Sequence, residues 1–188
     1  MIIISYYTKN TPYEQEVQKL KSSLQKFNLI YNIFCVENLG SWIRNVQQKP
    51  RVIYDALYKF KQDILYVDAD AVFCNIPTIF PIKCDFAAHI MDKALWKQNI
   101  KNRTHSLMSG TLYFPFKKIV FDIINNWQRE CIKTPQKWDQ RCLERIYKNY
   151  DFYNLPVEYC YIDKTMWGID NPVIKHNQAS RKYRKLIK

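Results

Sequence analysis

The tightest constraint on this chain's fold is one short segment. Ile64-Leu65-Tyr66-Val67 is an unbroken apolar and aromatic run, and it stops at Asp68-Ala69-Asp70, with Ala71-Val72-Phe73 after it. A run this short and this apolar fits a strand buried on both faces, as strands of a parallel sheet covered by helices are. The segment from Asp63 to Phe73 reads as a strand that runs straight into two acids, Asp68 and Asp70, placed where its apolar part stops. Residues i and i+2 of an extended chain point the same way, so Asp68 and Asp70 are expected to address one point.

The flanking sequence supplies covering helices and further strands. Ile2 to Tyr7 is a β-branched and aromatic strand candidate, and Leu29 to Val36 is a second. Between them Thr11-Pro12-Tyr13-Glu14 has the form of a capping box with Pro at the first helical position. Tyr13, Val17, Leu20, Leu24 and Phe27 then share one helical face. The polar stretch Glu37 to Lys49 leads to a helix begun by Pro50, with Val52, Ile53, Ala56, Leu57 and Phe60 inward. Asp85 to Ile90 and Leu112 to Phe114 are expected as strands. Lys117 to Lys133 and Asp139 to Asn149 are expected as helices, and one or two short strands lie between Phe152 and Ile162. Strands alternating with helices predict an α/β fold, a three-layer αβα sandwich with a mainly parallel central sheet. Residues 1–174 form one domain in this reading, followed by a basic C-terminal segment, 175–188.

Composition removes several classes. Only 3 Gly and 8 Pro exclude collagen-like and linker-like chains, and no apolar run approaches the ~20 residues of a bilayer span. The N-terminus lacks a basic start and a long apolar region, so a cytoplasmic location is expected. Cys35, Cys74, Cys84, Cys131, Cys142 and Cys160 show no metal-finger spacing and read as reduced thiols. The net charge of +12 favours anionic partners. A nucleic-acid-binding protein is one such reading, since basic and aromatic side chains can hold phosphates and stack bases. Against it, the charge is spread along the chain, no nucleic-acid motif is present, and 21 Lys outnumber 8 Arg. No nucleic-acid partner is therefore expected, and contact with an acidic membrane face is the alternative use of the charge.

Two carboxylates converging at a strand's end repel unless a proton or cation lies between them. Mg²⁺ or Mn²⁺, which prefer oxygen ligands, are the natural occupants. Three chemistries use such a strand: nucleotide-sugar glycosyl transfer, haloacid-dehalogenase-type phosphate transfer, and two-metal nucleases. The phosphatase pattern wants its acids on the first strand and a later acidic cluster, which are absent here. Asp85, Asp139, Glu158 and Asp163 have no spacing that marks a nuclease.

Asp68-Ala69-Asp70 in the context Ile-Leu-Tyr-Val-Asp-Ala-Asp-Ala-Val resembles the DxD motif of GT-A-fold glycosyltransferases, the nucleotide-diphospho-sugar transferase superfamily. Weaker matches follow in family order: Lys49-Pro50-Arg51 opening the preceding helix, and Asp85-Phe86-Ala87-Ala88 as the next strand. Ser109-Gly110-Thr111-Leu112-Tyr113-Phe114 is similar to the strand beside the donor sugar, with Met108-Ser109 where Asn-Ser is frequent. Trp138-Asp139-Gln140 is similar to a helix start at the reaction centre. His176, followed by Ser180-Arg181, resembles a C-terminal histidine that joins the metal shell. The resemblance covers residues 1 to about 182 and implies a Rossmann-like GT-A transferase using a UDP- or GDP-sugar.

It further implies Asp68, Asp70 and His176 as metal ligands and Asp139 and Gln140 as catalytic residues. Tyr6, Tyr7, Thr8, Lys49, Arg51, Ala69, Ser109, Gly110, Thr111, Ser180 and Arg181 would join the two aspartates around the donor. The acceptor would be a glycan, a lipid-linked molecule or a protein, and Trp96 and Trp138 would border its pocket. The Asp-Gln match leans toward retention of configuration. The modest length suggests a trimmed acceptor half or a partner that supplies it. Ala94 to Thr104 would be an acceptor-side loop or a long connection. A transferase fold that only binds sugar or nucleotide is the remaining alternative.

Overall fold

Ile2, Ile3 and Ile4 are sealed from solvent because their strand has neighbours on both edges and helices on both faces. The computed structural model describes residues 1–96, 106–162 and 165–187. Its elements run β1 (Ile2–Thr8), α1 (Tyr13–Lys26), β2 (Tyr31–Val36), α2 (Trp42–Val46), α3 (Lys49–Phe60), β3 (Ile64–Val67), β4 (Ala71–Phe73) and β5 (Phe86–Ile90). They continue with β6 (Leu107–Phe114), α4 (Lys118–Lys133), α5 (Asp139–Leu143), β7 (Phe152–Asn154), β8 (Tyr161–Ile162), β9 (Ile174–His176) and α6 (Ala179–Tyr183).

The central sheet has six strands in the order β2-β1-β3-β6-β5-β7. Its pairings are parallel except those that β6 makes with β3 and β5, so β6 alone opposes the common direction. Side chains alternate across β1. Ile2, Ile4 and Tyr6 pack with Val52, Ile53 and Leu57 of α3 and with Ile123, Ile124 and Trp127 of α4. Ile3 faces the other way, toward Val17, Leu20 and Leu24 of α1. The expected three-layer sandwich with a mainly parallel sheet is present.

The segment from Asp63 to Phe73 is not one strand. β3 ends at Val67, the chain turns with the Ala71 N–H donating to the Asp68 carbonyl at 2.9 Å, and β4 enters a second sheet, β4-β9-β8. The turn, rather than the strand pleat, therefore orients the two aspartates. The boundary expected at 174 falls inside β9, which pairs antiparallel with β4, so the basic segment is built into this small sheet at its start.

Other differences are local. Thr11 does not cap α1. Its hydroxyl donates back to the Thr8 carbonyl at 2.7 Å, and Glu14 accepts from the Asn10 N–H instead. The polar stretch before α3 contains the short helix α2, begun by Ser41, whose hydroxyl accepts from the Arg44 N–H. β6 starts at Leu107, earlier than expected, and the helix from Asp139 ends at Leu143. Of the connection expected from Ala94 to Thr104, residues 97–104 lie outside the described residues, as does Asp163.

Candidate active site

β1, β3 and the turn after β3 end at one cleft, of about 320 Å³. Ligand sites in open α/β sheets lie outside the carboxyl ends of the strands, and this cleft occupies that position. Strand β3 delivers Asp68 to its floor, where pairing with β6 continues one residue further through the Asp68 N–H to the Gly110 carbonyl at 2.8 Å. Two residues earlier Tyr66 sits on the same side, and its hydroxyl donates to Asp68 Oδ1 at 2.8 Å.

α3 places Lys49 in the middle of this acidic floor. Lys49 Nζ lies 3.0 Å from Asp68 Oδ1 and 2.7 Å from Asp139 Oδ2, and it donates to the Ser109 carbonyl at 3.1 Å. Ser109 Oγ also donates to Asp139 Oδ2, at 3.0 Å, and Trp127 Nε1 donates to the Asp139 carbonyl at 2.8 Å. Asp139, at the start of α5, is thus fixed by three neighbours. The Lys49 ammonium is buried, which by itself would lower its pKa, but Asp139 and Asp68 more than reverse this and raise it. Asp68 is raised chiefly by burial, against the pull of Lys49, and the charges of Asp70 and Asp139 add to the rise. Burial and the same acids push the Tyr6 and Tyr66 phenols well up.

Asp70 belongs to a second cluster. β9 pairs with β4 so that His176 lies opposite Ala71, next to Asp70. His176 Nδ1 is 3.7 Å from Asp70 Oδ1, and its Nε2 shares a hydrogen bond of 2.9 Å with Thr111 Oγ1. Burial alone would lower the imidazole pKa, but the neighbouring Asp70 and Cys160 carry it up to about 10. Burial likewise opposes ionisation of Asp70, yet the nearby His176 and its charge, with the Ala179 N–H, hold its carboxyl below the usual value.

One ligand atom from each of Asp68, Asp70 and His176 lies within 4.8 Å of the others. Two carboxylates and an imidazole suit Mn²⁺ or Mg²⁺, so the residues fit a hard divalent cation. Gly110 makes the cluster possible. A Cβ there would lie 3.0 Å from His176 Cε1, so the ring rests directly on the strand backbone.

Of the residues expected at the donor, Tyr6, Tyr7, Thr8, Lys49, Asp68, Ala69, Asp70, Ser109, Ser180 and Arg181 line the cleft, as do Asp139 and Gln140. Gly110 and Thr111 stand behind it and support His176. Arg51 is elsewhere. It lies exposed on α3, its Nε 3.6 Å from Asp55 Oδ2 one turn on, because only the first residue of that helix faces the sheet ends. Trp96 and Trp138 both border the cleft. Sequence reasoning assigned no site role to Tyr66, Tyr13 or Trp42. The period-two relation of Tyr66 to Asp68 is the signal that could have found the first. Tyr13 and Trp42 meet only in three dimensions, through the Trp42 Nε1 donor and the Tyr13 hydroxyl at 3.3 Å.

No protein-family model and no curated protein matches the sequence. Solved structures do match in fold. A glycosyltransferase involved in the glycosylation of the major capsid of PBCV-1 superposes with a TM-score of 0.70 at 12% identity, over 94% of this chain and 92% of that one. The glycosyltransferase GlyE of Streptococcus pneumoniae TIGR4 gives 0.63 at 14% identity, over 93% of this chain and 54% of its own length. The three-layer architecture and the cleft at its strand ends are thus built on a fold that this chain shares with glycosyltransferases.

Proposed function

We propose that this protein is a metal-dependent glycosyltransferase that moves a sugar from a UDP- or GDP-sugar to a glycan, lipid-linked or protein acceptor. One observation carries the reading: Asp68, Asp70 and His176 converge within 4.8 Å at the strand ends of a fold shared with glycosyltransferases. Asp68, Asp70 and His176 would hold the cation. When bound, Mn²⁺ or Mg²⁺ supplies Lewis-acid stabilisation of the charge that develops on a diphosphate leaving group.

The chain's own residues divide the remaining work. Arg181 and Arg184 line the same cleft and supply guanidinium donors suited to phosphate oxygens. Tyr6, Tyr7 and Thr8, at the end of β1, offer stacking faces and hydroxyls to the base and ribose. Asp139, held by Lys49 and Ser109, presents a fixed carboxylate to the donor sugar, with Gln140 beside it. Fixing these groups before substrate arrives removes reorganisation from the reaction step. Burying the donor under 175–188 would also keep water from the reacting centre.

The test is nucleotide release from a panel of UDP- and GDP-sugars with and without Mn²⁺. Metal-dependent release from at least one donor, lost in Asp68→Asn and Asp70→Asn proteins that remain folded, supports the reading. Release that both variants retain contradicts it.

A further inference from the structure

The segment after β9 is fastened at two points. At its start, Asp70 Oδ2 accepts the Ala179 N–H at 2.7 Å, and the Asp70 carbonyl accepts from Asn177 Nδ2 at 3.1 Å. Gln178, with φ of 52°, turns the chain in the left-handed region to present that N–H. At its end, the Tyr183 hydroxyl donates to Glu16 Oε1 at 3.0 Å, and its ring meets Tyr13 edge-on with centroids 5.8 Å apart.

Glu16 is unusual for an acid on a surface helix. It is 3% exposed, and its second oxygen takes Lys19 Nζ at 2.9 Å. A buried carboxylate needs partners, and Tyr183 reaches it from the far end of the chain. Ser180 and Arg181, between the two fastenings, and Arg184, directly after the second, line the cleft. Among the described residues neither guanidinium makes an ion pair, so both are available to an anion in the cleft. The five residues of α6 are too few to form a stable helix alone, so tertiary contacts set where these arginines sit.

We propose that Glu16 and Tyr183 are positioning residues, whose hydrogen bond clasps α6 to α1 and holds Arg181 and Arg184 over the diphosphate end of the donor. The identity of that anion rests on the glycosyltransferase reading; the clasp itself does not. Releasing the clasp leaves the cation cluster and Asp139 untouched, but it makes donor binding pay for ordering two long side chains and the segment that carries them.

Tyr183→Phe keeps the ring contact and removes only the hydroxyl, whereas Glu16→Gln keeps an acceptor for it. Trypsin reads the clasp without any ligand, because its sites Arg181, Lys182, Arg184 and Lys185 fall within the segment. Tyr183→Phe should be cut there faster than wild type and should bind UDP or GDP with Mn²⁺ about three- to tenfold more weakly by calorimetry, the worth of one hydrogen bond. Donor KM should rise by the same factor with kcat unchanged and Tm lowered by no more than about 2–4 °C, and Glu16→Gln should stay near wild type in every readout. Cutting of Tyr183→Phe at the wild-type rate overturns the clasp. Faster cutting with unchanged nucleotide affinity overturns its positioning role. If wild-type protein binds neither nucleotide, the donor reading fails together with that role, while proteolysis still decides whether the hydrogen bond fastens the segment.

Discussion

Lys49 Nζ lies 2.7 Å from Asp139 Oδ2, with both side chains almost wholly buried. The pair joins the first turn of α3 to the first residue of α5, two elements that the chain connects through three strands of the central sheet, the short strand β4 and helix α4. The same ammonium also reaches Asp68. One internal cation thus organises the carboxylate that would face the sugar and one that would face the metal.

Lys49→Met should therefore be costly. Removing one member of a buried pair leaves the other charge uncompensated, a loss of about 3–5 kcal/mol. Urea unfolding should show a lowered midpoint, and Asp139→Asn in the Lys49→Met background should recover part of the loss. An unchanged midpoint in the single variant would mean that the pair does not hold the site together.

Gly110→Ala tests the seat of His176. The added Cβ would lie 3.0 Å from His176 Cε1, and Thr111 limits how far the ring can retreat. A loss of about 1–3 kcal/mol from overpacking is expected. Mn²⁺ affinity should fall as well, measured by calorimetry, whereas a purely structural glycine would lower stability alone.

The pH dependence follows from His176 and Asp70. The folded imidazole pKa is raised from 6.5 to about 10, so the stability it contributes is fully present below about 6.5 and disappears as pH rises through about 10. Asp70 is depressed, so its contribution is present above its ordinary value and disappears in acid, as pH falls through the lowered one. Metal-free protein should accordingly lose stability between pH 6.5 and 10, and His176→Asn should flatten that limb of the urea midpoints. A ring nitrogen must shed its proton before it can ligate, so Mn²⁺ affinity should rise over the same interval.

Trp138 bears on the acceptor. It precedes Asp139, is 36% exposed on the cleft rim, and has the Arg141 guanidinium 5.4 Å from its ring centroid. Trp138→Ala should reduce transfer to added acceptors about tenfold, as expected for losing an aromatic contact of 1–1.5 kcal/mol, with donor hydrolysis unchanged. Equal loss of both rates would place the ring at the donor instead.

What the sequence revealed follows from the range of each interaction. Buried runs such as Ile2-Ile3-Ile4 and Ile64 to Val67 declare themselves locally, because a strand covered on both faces has no polar side to show. The turn at Asp68 was not legible. Ala-Asp-Ala-Val reads equally well as continued strand, and what breaks it is the pairing of three-residue β4 with β9, about a hundred positions later. The strand expected from Leu112 to Phe114 leaves out Ser109-Gly110 for a similar reason. That glycine lies within β6, where it serves the ring of His176, a contact invisible from neighbouring residues. Lys49 and Arg51 enter together through the resemblance of Lys49-Pro50-Arg51 to a family helix start, and helical geometry sends the two to different sides.

Calorimetry of Mn²⁺ with UDP and with GDP tests the central claim most directly. Wild-type protein should bind at least one nucleotide in a metal-dependent manner, with binding lost in both Asp68→Asn and Asp70→Asn while their unfolding transitions stay cooperative. Absence of heat with either nucleotide, or equal heat from the two variants, would contradict a site in which these aspartates hold a cation against a diphosphate.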